Sequence, residues 1–287
     1  MKTAAANKTG MTICEEDFLK FREYFYRKSG IYFEDCKRYF VDKRLLERID
    51  ATGSESFRSY FVLLRFETGG EELQALINLM TVNETYFFRE EYQFQCMVTG
   101  LLGEIVQYKT NNSPLRIWSI PSSSGEEAYS IVIYLLEYWP GIHLWDVEVL
   151  SSDIDTRIIS LARRGVYSPR SVQHLPPYLL TKYFTPIGCN YKINEDIKQS
   201  VEFTRVNLMD TSDVRAYRNF DIIFCRNLLI YFDNLSRHLA AETFFDALNP
   251  GGFICLGHSE SMSRTSSLFR VRKFPEAIVY QKPRQDI

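Results

Sequence analysis

The sequence predicts an α/β protein in three parts: a helical N-terminal domain, a mostly parallel sheet covered by helices, and a small β-rich insertion within that second part. Apolar residues recur at three- and four-residue spacing through residues 11–80. From about residue 115 short apolar runs alternate with helix-like stretches, and residues 167–200 interrupt that alternation.

Taken in order, residues 1–10 (MKTAAANKTG) have no apolar core and are expected to form a disordered lead-in rather than a signal peptide. Phe18, Phe21 and Phe25 line one face of a first helix, which Gly30 stops. Residues 37–49 make a second, with Val41, Leu45 and Ile49 on the buried stripe and Lys37, Arg44 and Arg48 on the stripe beside it. Residues 57–66 and 72–80 complete a small bundle, punctuated by Gly53 and Gly69-Gly70, so the first domain spans 11–80. In the second domain, residues 81–287, the runs LRIWSI, VEVLSS, VEFTRV, DIIFC and GFICLG read as strands, with helices over 156–164 and 236–248. The last segment, FRVRKFPEAIVYQK, holds two strand-like pieces with no helix between them, which suits an antiparallel pair at the sheet edge. Residues 167–200 contain several prolines, Gly188 and the β-prone pieces KYFTPI and CNYKI; too long for a plain connection, they read as an inserted β-subdomain.

A formal net charge of -2 gives no basic footprint for nucleic acid. The six cysteines include no CxxC pair and read as free thiols in a reducing compartment. The four histidines show no ligand spacing, so no metal is expected. The best apolar run, residues 131–139, is interrupted by Glu137, and no membrane span is expected. These features together place the chain in the cytoplasm.

Ligands of open α/β sheets bind beyond the carboxyl ends of the strands. After the first strand comes PSSSGEE, residues 121–127, where a phosphate-binding loop would offer backbone N–H groups and no carboxylates. The second strand ends in Asp153-Ile154-Asp155 and the fourth in Cys225-Arg226-Asn227. An acid at the second strand end suits a ribose diol, and an acid in the first loop suits an α-ammonium group. Together they favour a nucleoside that carries an amino acid, a description that S-adenosylmethionine meets. The plainer alternative is that these acids only cap helices.

NETYFFRE (residues 83–90), SSGEEAYS (123–130), SSDID (151–155), FDIIFCRNLLIYF (220–232) and GHSES (257–261) occur in this order. They resemble the chemotaxis receptor methyltransferase family, and the likeness runs from about residue 12 to the end. The resemblance implies an N-terminal all-α helical domain followed by a Rossmann-like S-adenosylmethionine methyltransferase sheet with a small inserted β-subdomain. It also implies cofactor contacts from Asn83, Thr85, Arg89, Glu127, Asp153, Asn207, Leu208, Arg226 and Asn227. The sequence departs from the family at Ala128, where Pro usually follows the two acids, and at Pro121, where Gly or Ala is commoner. Pro121 removes one backbone donor and fixes φ, while the serines and Gly125 still suit a tight turn.

The implied reaction carries a methyl group from the sulfonium to the side-chain carboxylate of a chemoreceptor glutamate, giving a γ-methyl ester and S-adenosylhomocysteine. Such a carboxyl, with an ordinary pKa of about 4.3, is already ionised at neutral pH, so no enzymic base is needed. Arg89, as a forked partner for a carboxylate, and Tyr231, beside the pocket, are the candidate catalytic residues. Lys37, Arg44 and Arg48 are the candidate docking stripe for an acidic receptor helix, and the inserted β-subdomain is a candidate for a receptor tail peptide. A monomer is expected. The competing class is a binding protein that senses the cofactor and signals by contact without transfer.

Overall fold

The computed structural model describes residues 12–110 and 112–284; the expected disordered lead-in, residues 1–10, lies outside them. The chain divides into two units after Val82.

The first unit is helical. Helix α1 (Glu15–Ser29) has three acids in its first turn and Arg27 and Lys28 in its last, which complements the helix dipole. It buries Phe18, Phe21 and Phe25, and ends at Gly30, whose φ of 74° a side chain would disfavour. Helix α2 (Arg38–Ala51) buries Val41, Leu45 and Ile49. Helix α3 (Phe57–Phe66) opens with a Ser56/Ser59 capping box, and α4 (Glu71–Met80) follows Gly70.

The stripe beside the buried face of α2 is not the free docking surface the sequence suggested. Arg48 grips both oxygens of Glu72 at 2.9 and 2.5 Å, and the Tyr60 hydroxyl donates to the same buried carboxylate at 2.8 Å. Arg44 donates to the Leu79 carbonyl at 2.7 Å and lies on the Phe40 ring, 3.4 Å from its centre. Of the three residues, Lys37 alone is exposed. A basic stripe on a helix reads alike in sequence whether it faces water or an acid 24 residues further on.

The second unit opens with α5 (Tyr92–Cys96) and α6 (Leu102–Val106), joined by a π-helical turn over Met97–Leu101. Then come β1 (Leu115–Ser119), α7 (Glu126–Tyr138), β2 (Val147–Asp153), α8 (Thr156–Arg164) and β3 (Val166–Tyr167). The insertion adds α9 (Pro169–Val172), α10 (Pro177–Tyr183), β4 (Phe184–Ile187), β5 (Asn190–Ile193) and α11 (Glu195–Gln199). The chain finishes with β6 (Val201–Arg205), α12 (Thr211–Val214), β7 (Phe220–Cys225), α13 (Asn234–Ala247), β8 (Leu248–Leu256), β9 (Arg270–Lys273) and β10 (Ile278–Gln281).

The main sheet has the order β6-β2-β1-β7-β8-β10-β9. Its first five strands are parallel, and β10 runs antiparallel to both β8 and β9, the expected edge pair. Strand β7 is buried along its whole length, as a central strand covered on both faces must be. Because β1 lies between β2 and β7, the strand order reverses there, and the crevice of such a sheet opens at the carboxyl ends of these three strands. Gly125, with φ 94°, keeps the turn after β1 tight against its neighbours. A Cβ there would sit 3.0 Å from Ala162 and Tyr129 and 3.1 Å from Phe203.

The insertion forms a second, antiparallel sheet in the order β3-β5-β4. The Ile193 N–H bonds to the Gly165 carbonyl, on the β3 side, so its opposite number Phe184 points its backbone outward, as does Pro186 two residues on. The Phe184 N–H is taken by the Leu180 carbonyl, and Pro186 has none. The open edge of β4 therefore offers no free backbone donor at these two positions.

Candidate functional site

The loop after β1 starts at a cis Ile120–Pro121 peptide and turns through Ser123 at φ 46°. The Ser122 N–H bonds to the Ser152 carbonyl at 2.7 Å, so the proline leaves the next donor in place to tie the loop to β2. The Ser123 N–H donates to one oxygen of Asp153 at 2.8 Å, and the Asp155 N–H to the other at 2.9 Å. Burial pushes the Asp153 carboxyl up to about 6, against the pull of these two donors. Asp155 caps α8 through the Ile158 N–H at 3.0 Å and accepts from the Asn83 amide at 2.9 Å, which fastens the NETYFFRE segment to the end of β2.

The two acids of the GEE turn part company. Glu126 is buried and turns to the Ser124 and Ser171 hydroxyls at 2.6 and 2.7 Å, a structural tie to the insertion. Glu127 faces the crevice, where it accepts from the Ser119 hydroxyl and from Arg226, both at 2.9 Å. Arg226 is a buried centre with a side chain only 3% exposed. One of its terminal nitrogens holds Glu127; the other donates to the Arg89 carbonyl and lies 3.4 Å from Glu90. Its Nε has no hydrogen-bond partner, and its guanidinium sits over the Phe94 ring, 5.4 Å from the centre. Burial raises the Glu127 carboxyl while Arg226 pulls it back.

Beyond β7, Asn227 adopts φ 58°, and the Asn227 N–H donates to Glu260 at 2.8 Å; the same carboxylate accepts from the Gly257 N–H at 2.9 Å and the Ile230 N–H at 3.3 Å. GHSES thus supplies a clasp that joins the ends of β7 and β8. A Cβ on Gly257 would fall 2.8 Å from the Glu260 oxygen. Asn207 and Leu208, both buried, follow β6 beside the end of β2, where the Val206 N–H reaches the Asp153 carbonyl. Arg89 is half-buried and donates to the Glu84 carbonyl at 2.9 Å, and Thr85 is half-buried on the same segment. Burial raises the Tyr231 hydroxyl, and the Arg89 charge opposes that rise.

The structure gathers Asn83, Arg89, Glu127, Asp153, Arg226, Asn227 and Tyr231 around the strand ends, and leaves the α2 stripe as a feature of the other unit. Phe88, Glu90, Ser123 and Asn227 all have positive φ, between 46° and 60°. Non-glycine residues tolerate that only where their surroundings enforce it, and here they lie on the segments that build the crevice. Glu90 and Glu260 were not among the residues singled out from the sequence. Both stand inside the quoted blocks NETYFFRE and GHSES, which was the available signal.

A profile of the CheR methyltransferase SAM-binding domain matches residues 83–278, and one of the CheR methyltransferase all-alpha domain matches residues 16–81. The chain is 53% identical over 274 residues to chemotaxis protein methyltransferase 2 of Vibrio cholerae, covering 95% of each chain. It is 36% identical over 261 residues to chemotaxis protein methyltransferase 2 of Pseudomonas aeruginosa, covering 89% of this chain and 90% of that one. Against the chemotaxis protein methyltransferase of Escherichia coli it is 32% identical over 269 residues, 91% of this chain and 90% of the other. The acid-lined crevice fits the amino-acid nucleoside that such a domain binds, and with S-adenosylmethionine as its methyl donor the chain belongs to the CheR methyltransferase family.

Proposed function

We propose that this protein methylates glutamate side chains of chemoreceptors and so serves chemosensory adaptation in the cytoplasm, working as a monomer. The observation that carries this reading is the pair of acids beyond the ends of neighbouring strands, the half-buried Glu127 after β1 and the buried Asp153 at the end of β2, in place of a phosphate-binding loop. Asp153 takes the ribose hydroxyls, through the lone-pair capacity that its backbone N–H bonds leave on the two oxygens. Glu127 takes the ammonium group, Asn207 and Leu208 flank the base, and Asn83, Thr85, Arg226 and Asn227 complete the walls. Among the described residues no helix is long and apolar enough to cross a membrane.

The bound cofactor supplies an electrophilic methyl group on sulfur. A lone pair of the receptor carboxylate forms the new O–CH₃ bond as the S–CH₃ bond breaks, and the two opposite charges vanish together. Orientation and exclusion of water are what this chain has to provide. Arg89 holds the incoming carboxylate in one plane through its fork. Tyr231, raised by burial, stays protonated at neutral pH and can donate a hydrogen bond but not accept the role of base. The Cys225 thiol at the end of β7 is likewise held protonated by burial. Arg89→Lys keeps the charge and loses the fork, and is expected to lower kcat by about ten- to a hundredfold. An unchanged kcat at saturating cofactor and receptor would remove Arg89 from the chemistry.

Glu127→Gln and Asp153→Asn are each expected to weaken cofactor binding by about 1–3 kcal/mol in calorimetric titration. Unchanged affinity in both would overturn the reading. Asp153 adds a pH signature. Because its carboxyl is raised from 3.8 to about 6, its contribution to the stability of the free protein is full below 3.8 and lost as pH rises through about 6. Cofactor binding needs the ionised form, so it runs the other way: affinity falls as pH drops below about 6, and Asp153→Asn flattens that fall.

The donor-poor outer edge of β4 supports a receptor engaged without strand addition by its tail, because an added strand would find no N–H at Phe184 or Pro186. Deleting the last residues of the receptor is expected to leave its methylation rate within about twofold. A loss of tenfold or more would place a tail site on this protein.

A further inference from the structure

The charge count around Arg226 identifies a residue that sets ligand preference. Arg226 is shared by two carboxylates, Glu127 at 2.9 Å and Glu90 at 3.4 Å. If Glu127 were its sole partner, that pair would be neutral, and an arriving ammonium group would leave two cations on one carboxylate. Glu90 changes the sum: two carboxylates and one guanidinium carry a net charge of -1, which one ammonium neutralises. The position of Glu90 is built rather than incidental. Its backbone has φ 53°, the Tyr92 hydroxyl and the Gln93 amide donate to its Oε2 at 3.2 and 3.1 Å, and the His258 N–H approaches Oε1 at 3.5 Å. Gln93 is itself anchored to the Leu256 carbonyl at 2.6 Å, so the carboxylate is held on the Arg226 side from two directions.

We propose that Glu90 is a specificity-determining residue: by drawing part of the Arg226 charge away from Glu127, it leaves Glu127 able to accept a cationic ligand group. This rests on the assignment of Glu127 to the cofactor ammonium. Glu90 needs no contact with the cofactor; it acts through Arg226 and is a positioning residue. Its effect belongs to the ammonium and not to the reacting methyl, so it bears on KM for the cofactor and not on kcat.

The test compares two ligands, S-adenosylhomocysteine and its analogue with hydrogen in place of the α-amino group, titrated into the full-length protein. Glu90→Gln is expected to weaken the first by roughly tenfold and the second by less than about twofold, the order of effect one unit charge exerts from about 10 Å at an effective dielectric of about 20. Glu90→Asp, which keeps the charge, is expected to retain the wild-type preference between the two. Equal losses for both ligands in Glu90→Gln, no loss for either, or loss of the preference in Glu90→Asp would overturn the proposal. The assignment beneath it is tested separately by Glu127→Gln on the same two ligands. Equal losses there remove Glu127 from the ammonium, whereas a selective loss there with equal losses in Glu90→Gln removes Glu90 alone. Thermal melting of each variant establishes that it is folded, and kcat at saturating cofactor should match wild type in Glu90→Gln.

Discussion

Arg226→Met is expected to lower the stability of the second unit by about 3–5 kcal/mol and to abolish cofactor binding, because it removes one member of a buried ion pair and strands the others. The replacement fills much the same volume, so the loss is not one of packing. Glu127 and Glu90 would keep their charges with side chains only 13% and 16% exposed, and the Arg89 carbonyl would lose its donor. Arg226→Lys should fall between wild type and Arg226→Met, since one ammonium cannot reach Glu127, Glu90 and a carbonyl in the geometry the fork provides. Denaturant unfolding measures the first effect and calorimetry the second. A stable Arg226→Met protein that still binds the cofactor would show that the two carboxylates find enough water to manage alone.

Arg48→Ala should destabilise the helical unit on a similar scale, about 3–5 kcal/mol, while Lys37→Ala changes it by less than about 0.5 kcal/mol. Arg48 neutralises Glu72, whose carboxylate lies 7% exposed in the core and also receives the Tyr60 hydroxyl. Without the guanidinium that charge stays buried beside an uncharged phenol. A receptor-methylation defect in Arg48→Ala would therefore reflect an unfolding first domain, and circular dichroism at the assay temperature separates the two. If Arg48→Ala melts like wild type and loses only receptor methylation, the docking role returns.

Much of the fold was legible because burial leaves a period in the sequence. The Phe18/Phe21/Phe25 and Val41/Leu45/Ile49 stripes are buried in α1 and α2, and the five apolar runs are the five parallel strands. Residues 92–106 gave no such signal. Gly100 and Gly103 dilute the helical pattern, and the π-turn at Met97–Leu101 shifts its phase, so no single 3.6-residue stripe runs through it. At the site, Glu127 and Asp153 stood out as candidates because strand ends are where such sheets bind ligands. Spacing alone does not say which of Glu126 and Glu127 faces the crevice, although the family resemblance named Glu127; adjacent residues at a helix start differ only in direction, and that direction is set by Ser171 and Arg226 from elsewhere. The internal roles of Arg44 and Arg48 were hidden for the same reason.

The tight clasping of the crevice has a consequence for how the protein comes into being. Its contacts join residues far apart along the chain: Asn83 to Asp155 across 72 positions, Glu127 to Arg226 across 99, Gln93 to Leu256 across 163. Each closes a long loop and contributes only once both ends are in place, so the early, local events of folding cannot assemble the crevice. During synthesis the ribosome must release the chain beyond Glu260 before Asn227 is clasped, which makes cofactor binding a late acquisition. Cofactor is therefore expected to slow unfolding more than it speeds folding, which refolding and unfolding rates with and without S-adenosylhomocysteine check. Cofactor in the cell is then expected to act as a lock on finished molecules.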